Sequence, residues 1–137
     1  MKELTCICTI TMSIAFLAML AVSCQNKMLV CVVTPERIKI PTISDIIALP
    51  IFDRIFTYLN TLYFIGIHQV NVRSYYKTFN DIGVPSWLND ALLYCGLIPS
   101  ITSPLIGIFD WRNFHYIHYG LTGTFFFCAS AYYFGLA

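Results

Sequence analysis

Charged residues divide this chain into four uncharged stretches, each long enough to cross a bilayer. Glu3 and Lys27 enclose 23 residues, Arg54 and Arg73 enclose 18, Asp90 and Asp110 enclose 19, and 25 residues follow Arg112. A helix needs about 20 predominantly apolar residues to span hydrocarbon. Irregular backbone cannot substitute, because every unpaired peptide group in lipid costs several kcal/mol. The period-2 alternation of a membrane barrel is absent. The expectation is therefore an all-α membrane protein, a four-transmembrane-helix bundle with helices near Leu4 to Cys24, Ile55 to Val72, Ala91 to Phe109 and Phe114 to Gly135.

Composition agrees. Of 137 residues, 58% are hydrophobic and 11% charged, against about 45–50% and about 25% for soluble domains. That excludes an ordinary soluble domain and a disordered segment. With a net charge of +1 and no basic patch, a nucleic-acid partner is excluded as well. The length suits one integral membrane domain over residues 1–137, without internal repeats. Lys2 ahead of an apolar core, with Ala21 to Cys24 behind it, also fits a cleaved secretory signal; a retained helix is the reading adopted.

The connection from Gln25 to Arg54 is rich in proline (Pro35, Pro41, Pro50) and should be extended and turn-rich. Its apolar residues Ile38, Ile40, Ile43, Ile46, Ile47 and Leu49 imply that it packs down over the helix ends. Cys24 and Cys31 would pair if this loop faces an oxidising compartment. The other cysteines, Cys6, Cys8, Cys95 and Cys128, lack metal spacing and read as small buried hydrophobes. With both termini on one side, the loop's side carries five basic residues against three, a bias that by itself points the loop to the cytosol.

Polar residues inside a span normally face protein. At 100° per residue, Thr57, Asn60, Thr61, His68 and Asn71 share one stripe of the second helix, which should face the bundle. On the fourth helix, His115 and His118 project in similar directions after Asp110; no ligand motif accompanies them, so no metal and no cofactor is expected. Asp45 and Asp53 could approach Asp110, Arg112 and His115 at one membrane face. No nucleophile with its base is visible, which gives a non-enzymatic reading. Two prolines should kink the third helix, and Gly120, Gly123, Thr124 and Cys128 make a small-residue packing surface on the fourth. Tyr58, Tyr63, Tyr75, Tyr76, Trp87, Trp111, Tyr116, Tyr132 and Tyr133 supply candidates for interfacial belts.

Pro41-Thr42-Ile43-Ser44-Asp45 is followed by a helix that begins at Arg54-Ile55-Phe56 and leaves through Val72-Arg73-Ser74-Tyr75-Tyr76-Lys77. A third helix opens at Asn89-Asp90, and the fourth follows an Asp-to-His segment. From Pro41 to the C-terminus this order resembles the Frag/DRAM/Sfk family of multi-pass membrane proteins, with its CWH-like N-terminal domain and its relation to the post-attachment factors of GPI-anchor maturation. The family's Ser-Asp-Thr-Gly is here Ser44-Asp45-Ile46-Ile47, and its usual six helices are shortened to four. The resemblance implies a protein of endomembranes or the plasma membrane, acting in lipid organisation or GPI-anchored protein maturation, with its first loop outside the cytosol, which is the orientation preferred. It also directs attention to Pro41, Ser44 and Asp45, of which Ser44 and Asp45 are expected to fold towards Arg112, His115 or His118. Membrane lipids are the expected partners. The alternative is a structural subunit of a larger membrane complex, with other membrane subunits as partners.

Overall fold

A computed structural model describes residues 2–29, 31–34, 37–39 and 41–137. Helices dominate: α1 (Lys2–Gln25), α2 (Ile43–Ile47), α3 (Phe52–Asn60), a π-helical segment (Thr61–His68), α4 (Gln69–Asp81), α5 (Ser86–Ile108) and α6 (His115–Leu136). A small antiparallel hairpin, β1 (Val32–Thr34) with β2 (Arg37–Lys39), pairs Val33 with Ile38. Among the described residues, α5 is long and apolar enough to cross a membrane, and a shorter apolar run covers Ile10–Gln25.

The expected second helix is one continuous rod, α3 through the π segment into α4, since Asn60, Thr61, His68 and Gln69 all keep right-handed helical dihedrals. It passes Arg73 because a charged side chain does not by itself end a helix. Gly83, at φ +80°, stops it: the left-handed turn that glycine tolerates sends Gly83 N–H back to Asn80 O and Val84 N–H to Phe79 O. Pro85 then starts α5 earlier than expected. Asn89 Nδ2 clamps this corner by donating to Tyr76 O (2.9 Å) and Asn80 Oδ1 (2.8 Å), while Tyr76 donates to Asp90.

Helix α5 is the hub, packed against α6, α3, α4 and the π segment. Pro99 and Pro104 lie within its unbroken span. Val72, Leu92 and Tyr132 form the apolar core where α4, α5 and α6 meet. Tyr132 is thus a core residue and not a belt residue, unlike Tyr116, Trp87 and Tyr58, which stand exposed.

The long connection is more regular than expected. Cys24 and Cys31 form a disulfide across Cα atoms 5.6 Å apart, and the hairpin and α2 follow it. Ile46, Ile47 and Leu49 are buried, whereas Ile43 is exposed; Pro35 and Ile40 lie outside the described residues. Helix α2 forms because Thr42 and Asp45 make a reciprocal capping box.

Candidate functional site

Several polar side chains are buried beside the apolar core, and several apolar ones face outward. Ser23, Asn60, His68, Asn89, Ser100, Ser103 and His118 are buried, while Ile14 and Leu17 of α1, Ile101 of α5 and Phe126, Phe127 and Phe134 of α6 are exposed.

Of the expected stripe, Asn60 and His68 are buried and Thr57, Thr61 and Asn71 half-buried. Asn60 Oδ1 accepts from Ser103 Oγ at 2.7 Å, and its amide donates to Phe56 O. His68 Nε2 donates to Gly96 O at 3.0 Å, the carbonyl being able only to accept. Thr61 returns its hydroxyl to Thr57 O. These side-chain bonds occupy the carbonyls just before the ladder changes from α to π, a local competition that helical periodicity alone does not reveal. Thr57 lies against Gly107, where an added Cβ would collide with its hydroxyl. The partners Gly96, Ser103 and Gly107 escaped sequence reasoning because they sit about 28 to 50 positions away on another helix.

Between α3 and α5 runs an open cleft of about 510 Å³, lined by Asp53, Arg54, Thr57, Tyr58, Thr61, Gly107 and Ile108. Its walls carry both charge signs, three hydroxyl-bearing residues (Thr57, Tyr58 and Thr61) and apolar Ile108.

At the neighbouring helix ends, the loop meets α6. Ser44 Oγ lies 3.0 Å from His118 Nε2, and His118 Nδ1 lies 2.7 Å from Phe109 O. Phe109 O can only accept, so Nδ1 carries the proton; in the neutral ring Nε2 then accepts from the Ser44 hydroxyl.

Asp45 requires a correction. Its carboxylate accepts from both the backbone N–H and the hydroxyl of Thr42, each at 2.9 Å. A cap only three residues away captures it, so Ser44 and not Asp45 ties the loop to α6. Pro41 stands immediately before that cap.

The two histidines also part company: His118 is buried, whereas His115 is exposed and set edge-to-face with Tyr119 at 4.7 Å. Asp110 is occupied with the turn into α6, accepting from Arg112 N, Asn113 N and Asn113 Nδ2. Partial burial pushes its carboxyl pKa up, but these bonds and the Arg112 charge outweigh that and leave it below the ordinary carboxylate value. Arg112 itself is exposed. Of the small-residue surface on α6, Gly120 and Gly123 face open space, where an added Cβ would meet nothing within 4 Å, whereas Cys128 is buried.

The described residues thus form a helical bundle with buried polar groups between helices, apolar side chains on several exposed faces and a charged cleft. The family model for the Frag1/DRAM/Sfk1/Cwh43P N-terminal domain matches residues 1–136, and the chain belongs to this membrane-associated family. The match takes in the first helix as well as the stretch from Pro41 onward. No curated protein and no solved structure matches the chain.

Proposed function

We propose that this protein is a four-span membrane bundle that holds a lipid headgroup in the cleft between α3 and α5. The cleft is the observation that carries this reading. Arg54 would receive the phosphate, Asp53 an ammonium or hydroxyl of the same headgroup, and Thr57 and Thr61 the ester and glycerol oxygens. Holding a headgroup requires no bond making, in keeping with a role in lipid organisation or in maturation of lipid-anchored proteins. A cleft that carries both charge signs beside hydroxyl-bearing residues favours this over a purely structural subunit.

The outward apolar faces and the four uncharged runs support four spans. The Cys24–Cys31 disulfide supports placing the long loop on an oxidising side, with both termini in the cytosol, against the basic-residue count. In membrane-impermeant labelling of single-cysteine variants, Ile43→Cys should react from the oxidising side and Lys77→Cys from the cytosol. Labelling from the same side would refute the topology.

Binding of a fluorescent short-chain phosphatidylethanolamine by purified protein in micelles tests the cleft. Arg54→Gln should raise Kd about tenfold, equivalent to about 1.4 kcal/mol, and Thr57→Val should weaken binding further. Unchanged affinity in both variants would remove the cleft from lipid handling.

A further inference from the structure

The contact between Ser44 and His118 is more specific than a loop anchor needs to be, and it is independent of the headgroup cleft. Three features of it bear on reactivity. The tautomer is the one a general base requires: Phe109 O holds the proton on Nδ1, leaving the Nε2 lone pair aimed at the Ser44 hydroxyl at 3.0 Å. Phe109 is also the C-cap of the 23-residue helix α5, so its carbonyl belongs to the negative end of that helix. A positive charge arising on His118 would be stabilised by that directly bonded carbonyl, the task a carboxylate performs in a serine–histidine–aspartate triad, against the positive N-terminal end of α6, in whose first turn His118 lies. Finally, access is divided between the partners. His118 is 1% exposed, keeping the base out of water, while Ser44 is half-buried and reachable.

We infer that Ser44 is a nucleophile activated by His118, with Phe109 O positioning the ring, for acyl transfer from carboxylic esters. As Ser44 Oγ bonds to the ester carbonyl carbon, its proton passes to His118 Nε2 and the carbonyl π electrons move onto oxygen. When the carbonyl re-forms, the bond to the alcohol oxygen breaks and Nε2 returns the proton to that oxygen. The products are acyl-Ser44 and a free alcohol. Water, or a second alcohol, then attacks the acyl-serine by the same steps in reverse, regenerating the hydroxyl. Ile108, which lines the cleft, immediately precedes Phe109, so a lipid ester is the substrate class indicated. The lipid part of that assignment rests on the headgroup reading; the activation of Ser44 does not.

An alkyl fluorophosphonate tests the activation, because an activated serine displaces fluoride from phosphorus. Wild-type protein in phospholipid nanodiscs should carry the adduct on Ser44 by peptide mass spectrometry, and SDS-unfolded protein should not. His118→Gln should slow the labelling at least about a hundredfold, the range of general-base assistance. If that variant fails to fold, Ser44→Cys serves instead. Beside His118, its thiol should react with iodoacetamide at about pH 6 at least tenfold faster than a free thiol of ordinary pKa. No adduct on Ser44 in folded wild type would overturn the inference. So would equal labelling in folded His118→Gln, or an ordinary thiol rate in Ser44→Cys. Arg54→Gln should leave Ser44 labelling unchanged, so loss of headgroup binding and loss of serine activation are read separately.

Discussion

Gly96→Val is expected to destabilise the bundle by about 3 kcal/mol, the upper range for overpacking a close-packed interior. A Cβ at Gly96 would sit 2.8 Å from Val72 Cγ1 and 2.9 Å from Tyr132 Cε2, and both of those side chains are themselves buried in the core. Neither can retreat without opening the junction of α4, α5 and α6. The same glycine offers its carbonyl to His68, so a shift of α5 would also strand a buried imidazole donor. Gly123→Val is the control, since a Cβ there meets nothing within 4 Å, and it should change stability by less than about 0.5 kcal/mol. Denaturant unfolding of both variants in micelles decides the matter. Comparable stability for the two would mean that α5 does not pack closely against Val72 and Tyr132.

His118→Ala should cost about as much, roughly 3 kcal/mol, by a different route. It leaves a cavity where a fully buried ring stood and deprives both Phe109 O and the Ser44 hydroxyl of their partner. Ser44→Ala alone should cost only about 1 kcal/mol, because Ser44 is half-buried and water can replace the lost bond. In the His118→Ala background, Ser44→Ala should add almost nothing, so the double-mutant cycle should give a coupling near 1 kcal/mol. Strict additivity of the two losses would show that the pair does not hold the loop onto α6.

Much of the architecture is written in local sequence. The expected end of the third helix and both ends of the fourth fall within one residue of those observed, Ile108 and His115–Leu136, because the Asp110 turn and the uncharged runs act on their immediate neighbours, whereas Pro85 starts the third helix five residues before the expected Ala91. The burial of Ile46, Ile47 and Leu49 follows from an apolar loop with nowhere else to place those side chains. Thr42 and Asp45 three apart are a capping signal by themselves, and that local bond keeps Asp45 within its own loop. Local chemistry also determines the stop at Gly83, where only a left-handed turn ends the long helix.

What the tertiary structure alone decided is which distant groups meet. Ser44 and His118 lie 74 positions apart, Asn60 and Ser103 lie 43, and His68 and Gly96 lie 28. No periodicity links such pairs, because each depends on the rotation and depth at which one helix docks on another. The switch to a π-helical ladder over Thr61–His68 alters the angular phase of every residue beyond it, so a stripe drawn at 100° per residue does not identify the partners of its side chains. Histidines three apart look equivalent in sequence, yet only His118 faces Ser44 and the end of α5, while His115 remains at the surface. Residue type and spacing determined that polar groups would line the bundle; the helix crossings determined that one serine would meet one imidazole.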